Sequence, residues 1–173
     1  MSLPRELSVR NGILYQQPIR ELEDYRGEEI GYKSVTVENG EIRLPGIRGR
    51  LADLEIELEP DGPLFNRFAV RFAKNEIYQT TVSFRPHESV LKIDRKFSGS
   101  RRAIIHQRRA KVRHDKGKLN FRLILDRYSC EVFVNDGEKV LSMTVSTDLS
   151  AQEISFFADG KARFNVRMFT LNA

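Results

Sequence analysis

Apolar and charged residues alternate one by one along several stretches of this chain, and that period of two constrains its fold more than any other feature. Leu54, Ile56 and Leu58 alternate with Asp53, Glu55, Glu57 and Glu59. Phe68, Val70 and Phe72 alternate with Arg67 and Arg71, and Phe164, Val166 and Met168 with Arg163, Asn165 and Arg167. Successive side chains of a strand point to opposite faces, so this pattern sets one face on a core and the other in water. Helical periodicity is nearly absent. Residues that tolerate positive φ punctuate the strands at Asn39-Gly40, Asp61-Gly62-Pro63, Asp115-Lys116-Gly117, Asp136-Gly137 and Asp159-Gly160, and most of these read as hairpin turns. The clearest is Asn135-Asp136-Gly137-Glu138, which suits a two-residue type I′ turn joining Cys130–Val134 to Val140–Val145. Many short strands with such turns predict an all-β sandwich or barrel.

A length of 173 residues fits one domain, and 40% hydrophobic residues with 11 Phe can build a sizeable core. Cys130 is the sole cysteine, which excludes an intramolecular disulfide and a cysteine-based zinc site and reads as a small core residue. No apolar run approaches the ~18 residues of a membrane span, and Met1 to Arg10 lacks the apolar stretch of a signal peptide. No membrane association is therefore expected, and the location is left open with the cytoplasm slightly favoured. Residues 1–26 read as a lead-in in which Pro18 starts a short helical turn through Ile19, Leu22 and Tyr25, and residues 27–173 read as the sandwich itself. Leu91-Lys92-Ile93-Asp94-Arg95 and Leu123-Ile124-Leu125-Asp126-Arg127 echo each other as one strand-end solution used twice.

Four blocks together resemble glycoside hydrolase family 32, the group of invertases, levanases and sucrose-6-phosphate hydrolases. They are the junction Leu3 to Leu7 with Leu14 to Leu22, the Leu91 to Arg95 block, the Leu125 to Glu138 block, and the final strand pair Ile154 to Phe157 and Phe164 to Met168. The third is the most specific and is similar to the family's Asp-Arg-Ser-Ser-x-Glu-Val-Phe-x-Asn-Asp-Gly signature, with Tyr128 and Cys130 in place of more usual Ser and Val types. The residues carrying the resemblance are Asp94, Arg95, Asp126, Arg127, Glu131, Asn135, Asp136 and Gly137. Alternation places Glu131 and Phe133 on one face of their strand and Cys130, Val132 and Val134 on the other, so the signature reads chiefly as a folding motif.

The resemblance implies a two-sheet antiparallel β-sandwich of the concanavalin or lectin-like jelly-roll kind, the C-terminal module of a β-fructosidase. It implies a parent enzyme that hydrolyses β-fructosides with retention, using two carboxylates ~5–5.5 Å apart. Those carboxylates belong to an N-terminal five-bladed propeller whose motifs resemble Trp-Met-Asn-Asp-Pro-Asn-Gly, Arg-Asp-Pro and Glu-Cys-Pro. This chain has no Trp, its Asn135-Asp136 runs into Gly137, and Cys130 precedes Glu131, so no residue inherits a catalytic role. His87, His106 and His114 show no metal-ligand spacing, and no cofactor is implied.

Arg95 to Lys118 holds ten Lys and Arg against one acid, Asp115. Within it Arg101, Arg102, Arg108, Arg109, Lys111 and Arg113 are the candidate contact to the missing propeller or to a second subunit of a homodimer. A nucleic-acid reading of the same residues lacks the interleaved aromatic rings that would stack bases, whereas Ile104, Ile105, Ala110 and Val112 mark edge-strand segments that Lys and Arg protect from association. A third class is a carbohydrate-binding module. With no Trp and most Phe facing inward, its ring platforms would have to come from Tyr15, Tyr25, Tyr32, Tyr78 and Tyr128.

Overall fold

The computed structural model describes residues 3–99 and 106–172. Twelve strands follow in order: β1 (Arg5–Arg10), β2 (Ile13–Pro18), β3 (Arg26–Ile42), β4 (Ala52–Pro60), β5 (Arg67–Lys74), β6 (Gln79–Arg85), β7 (Val90–Phe97), β8 (Gln107–Lys111), β9 (Leu119–Asp126), β10 (Ser129–Val134), β11 (Lys139–Thr144) and β12 (Glu153–Leu171). β1 and β2 form a hairpin of their own. The other strands pair antiparallel in the order β11-β10-β9-β4-β12-β5-β6-β7-β8, with β3 along the other side of β12.

The two longest strands turn this ladder into a sandwich. β12 pairs with β4 over residues 162–170 and with β5 over residues 153–159, so its two halves lie in opposite sheets. The corner falls where the register with β3 shifts between Ala158 and Lys161. There Asn39 takes φ 43° and Gly160 φ 96°, and the Gly160 amide donates to Asn39 Oδ1 at 2.8 Å. Asn39-Gly40 and Asp159-Gly160, expected as hairpin turns, are thus the two sides of one bulge that bends a continuous strand pair. A Cβ on Gly160 would lie 2.9 Å from Phe65 Cα, which keeps this corner for glycine.

Alternation puts Leu54, Ile56, Leu58, Phe68, Val70, Phe72, Phe164, Val166 and Met168 inside, each at most 3% exposed. Phe164 sits at the centre, its ring 5.3 Å from Phe68 and 4.6 Å from Phe156. Cys130 joins the same core, as its alternation predicts, and burial, reinforced by the neighbouring Glu131 charge, pushes its thiol up to about 12.

Two local expectations change. The loop from β10 to β11 is four residues long, because Val134 pairs with Lys139, and Asn135, Asp136 and Gly137 all take positive φ. The repeated Asp-Arg pair serves two different purposes. Asp94 and Arg95 lie within β7, and Arg95 points inward to reach Thr144 Oγ1 of β11 at 2.6 Å. Asp126 ends β9 and its carboxylate accepts the Arg127 amide in the turn, at 2.7 Å.

Candidate functional site

The outward face of a sandwich sheet belongs in water, yet on the sheet containing β4, β9 and β10 it is covered. Asp53, Ile124, Glu131 and Phe133 all point away from the core and are at most 3% exposed. The cover is the opening segment. From β1 and β2 the chain passes through a 3₁₀ turn, Arg20–Tyr25, and enters β3 at Arg26. Pro18 closes β2, so the turn starts at Arg20.

Glu131 is the centre of the attachment. Its carboxylate accepts the Leu3 backbone amide at 2.6 Å and Arg5 Nη2 at 2.8 Å. Arg5 also donates to Ser142 Oγ of β11 at 2.8 Å and to Gln16 Oε1 of β2 at 3.0 Å, and its guanidinium lies 5.6 Å from the Phe133 ring centroid. A charged hydrogen bond of this kind contributes about 1.5–3 kcal/mol when partly buried. Gly137 completes the contact, because it takes φ 92° and a Cβ there would stand 1.9 Å from the Gln16 carbonyl oxygen. Only glycine lets β2 lie this close to the signature loop. On the loop's other side Asn135 Nδ2 donates to the Arg113 carbonyl at 2.8 Å, and Arg113 Nε meets Glu138 Oε1 at 3.0 Å. Asp136 is exposed at the rim of a cleft of about 320 Å³ shared with Gln17, Pro18, Glu55, Arg122 and Phe133.

A second cluster secures the far end of the opening segment. Asp53 is fully buried and held by Arg26 Nε at 2.8 Å and by Arg122 Nε and Nη2 at 2.7 and 2.6 Å. The Arg26 guanidinium stacks 3.9 Å from the Phe169 ring centroid. The alternation of Asp53 with Leu54 gave no sign of this, because the pattern identifies the face and not what covers it.

The predicted site residues divide. Glu131, Asn135, Asp136 and Gly137 gather at the clasp, with Arg113 bound to the same loop. Asp94 pairs with Lys92 at 3.2 Å and with Gln107 at 2.8 Å on the opposite sheet. Arg127 lies in the β9–β10 turn, where its carbonyl accepts Arg50. Arg108, Arg109 and Lys111 are exposed on edge strand β8, but pairing of Arg108 with Ile93 and of Arg109 with Lys92 sets Arg108 on one side and Arg109 and Lys111 on the other. Arg101 and Arg102, with Ile104 and Ile105, lie outside the described residues. His114 accepts the Gly117 amide on Nδ1 at 2.9 Å, which leaves the Nε2 proton for Ser89 Oγ at 3.0 Å, and packs 5.3 Å from the Phe84 ring. Of the tyrosines, Tyr25 and Tyr128 are more than half exposed, whereas Tyr32 donates to the Pro45 carbonyl at 2.7 Å. Among the described residues no group of His, Cys, Asp and Glu is arranged to hold a metal ion, and no helix is long and apolar enough to cross a membrane.

Fold and clasp together define an antiparallel β-sandwich module whose signature loop receives the segment that leads into it. Residues 21–171 match the family model described as glycosyl hydrolases family 32 C terminal, and the chain belongs to that family. It is similar to a levanase of Bacillus sp. (strain L7), with 30% identity over 92% of this chain and 18% of the relative. It is equally similar to a sucrose-6-phosphate hydrolase of Bacillus subtilis (strain 168), with 30% identity over 99% of this chain and 33% of the relative. The chain therefore spans a third or less of these relatives. Among solved structures, the fold matches an exo-inulinase from Aspergillus awamori with a TM-score of 0.84 at 17% identity, over 99% of this chain and 36% of that one. Sucrose-6-phosphate hydrolase from Lactobacillus gasseri matches with a TM-score of 0.78 at 22% identity, over 97% of this chain and 33% of that one.

Proposed function

We propose that this chain is the non-catalytic C-terminal module of a β-fructofuranosidase-type glycoside hydrolase, packing on and stabilising the catalytic propeller of the same enzyme. The observation that carries the reading is the clasp, in which Glu131, Phe133 and Gly137 of the family signature hold residues 3–18 against the sandwich. Both carboxylate oxygens of Glu131 are engaged in holding the opening segment, which supports an attaching role for the signature. The same proposal divides the chain into a junction, residues 1–26, and a sandwich, residues 27–173, a reading supported by the start of β3 at Arg26. Sucrose, sucrose 6-phosphate or a fructan is the substrate class of the parent, in keeping with the levanase and sucrose-6-phosphate hydrolase relatives.

The purified chain, incubated with sucrose, sucrose 6-phosphate and inulin, is expected to release no fructose. Turnover above a protein-free blank overturns the reading. A basic contact to a second subunit through Arg101, Arg102, Arg108, Arg109, Lys111 and Arg113 is the weaker component of the proposal, since Arg113 is engaged by Glu138.

A further inference from the structure

We propose that the outer face of the sheet formed by β5, β6, β7 and β8 carries an anion site, lined by Ser83, Arg85, Lys92 and Arg109, that takes a phosphate group. Register builds it in rows across the strands. One row runs from Phe157 of β12 through Ala69, Ser83 and Lys92 to Arg109 of β8. The row beside it carries Arg85, Val90 and Lys111. Arg67 borders Arg85 from β5, next to the pair of Phe68 with Phe84. Ala69 and Ser83 are small and at most 4% exposed, so the longer basic side chains stand around a depression of about 180 Å³. Neighbouring strands lie about 4.8 Å apart, which lets Arg85, Lys92 and Arg109 reach one small ligand from three strands.

Charge on this face is not balanced locally. Arg71 is engaged by Glu41, and Lys92 by Asp94 at 3.2 Å. Among the described residues Arg109 and Arg67 have no carboxylate partner: Arg109 donates to the neutral Gln107 Oε1 at 3.1 Å, and Arg67 lies 4.8 Å from the Phe157 ring centroid. Burial, and then the charges of Arg71 and Arg85, push the Arg67 guanidinium below the ordinary arginine value, and Asp159 offsets this only in part. Arg71 stacks on the same ring at 4.6 Å, so Phe157 holds two like charges in place. At the rim the Glu88 carboxylate meets Arg85 Nη1 at 3.3 Å in an exposed pair, a contact worth little in water. It marks the place of an anionic oxygen on Arg85 and yields to a stronger acceptor. A phosphate group suits the remaining donors, since guanidinium forks bind it through two parallel hydrogen bonds, lysine adds a point charge, and the Ser83 hydroxyl lines the floor. Phe157 lies beneath guanidinium groups, so a strand of nucleic acid finds no ring there to stack on.

The test titrates the purified chain by calorimetry with inorganic phosphate and with glycerol 3-phosphate at constant ionic strength, with acetate as the carboxylate control. Saturable binding of a phosphate ligand is expected, and the tighter of the two tells whether the site takes the free ion or an ester. Lys92→Gln together with Arg109→Gln is expected to weaken binding about tenfold or more. Glu88→Gln is expected to strengthen it about threefold, because the competing carboxylate is gone. Arg108 lies on the other side of β8, and Arg108→Gln is expected to change binding by less than about twofold. If the double variant does not fold, amide chemical shifts of the native chain give the same reading: phosphate is expected to move residues 83, 85, 92 and 109 and to leave residues 5–18 in place. No saturable binding, equal binding of acetate, or an equal loss with Arg108→Gln overturns the site. The proposed role of the module stands or falls separately, because this experiment needs no other part of an enzyme.

Discussion

Glu131 and Gly137 show how a residue's role follows from its neighbour across space more than from its neighbours in sequence. Gly137→Ala must either shift β2 away from a Cβ standing 1.9 Å from the Gln16 carbonyl or move the loop out of φ 92°. We expect it to cost more than about 1 kcal/mol in urea unfolding and to release the hairpin, seen as faster amide exchange at residues 5–18 with exchange in β4 and β12 unchanged. Wild-type exchange in the hairpin of that variant would show that the close approach is dispensable. Alternation read from the sequence places Glu131 and Phe133 on the outward face, and they are there. Their burial was not legible, because the partners, Leu3 and Arg5, are 128 and 126 residues away from Glu131 and nothing local encodes that distance.

At the scale of elements, the strands of the sandwich were largely readable and the bends were not. Period two located β4, β5 and β12, and the edge character of β8 followed from its Arg and Lys. The opening segment read as a lead-in with one helical turn, yet residues 5–18 form a hairpin whose alternation is blurred by Gln16, Gln17 and the exposed apolar tip. Asp53 belongs to this scale because it joins three elements: β4, the start of β3 through Arg26 and β9 through Arg122. Asp53→Ala would leave two arginines facing each other over a buried site, and we expect a loss of about 3 kcal/mol in chemical denaturation. A loss below about 1 kcal/mol would mean that Arg26 and Arg122 find other partners, Glu55 being the nearest.

For the whole molecule, the sandwich is closed by strands that serve both sheets and by ion pairs that cross from one strand to the next. Glu41 of β3 reaches over β12 to Arg71 and Lys74 of β5. Burial opposes its ionisation, but the hydrogen bond from Lys74 and the charges of Arg71 and Lys74 outweigh that and hold its carboxyl at about 2, against an ordinary 4.5. A folded-state value below the unfolded one gives stability that is full above about 4.5 and is lost as pH falls towards about 2. The difference in urea midpoint between the native chain and Glu41→Gln should therefore be largest near neutral pH and shrink across that window; a difference that persists at pH 2 would assign the effect to packing. By itself the sequence determined the all-β class, the inward residues of the core strands and the family, because each is written in local alternation or in a contiguous signature. The tertiary structure alone decided that β12 and β3 bend between two sheets, that the outward face around Glu131 and Asp53 is covered, and that the basic residues of β8 are divided between its two sides. Those outcomes depend on which surfaces meet after the chain closes on itself, and a period of two tells a residue's side of a strand without telling what will lie against it.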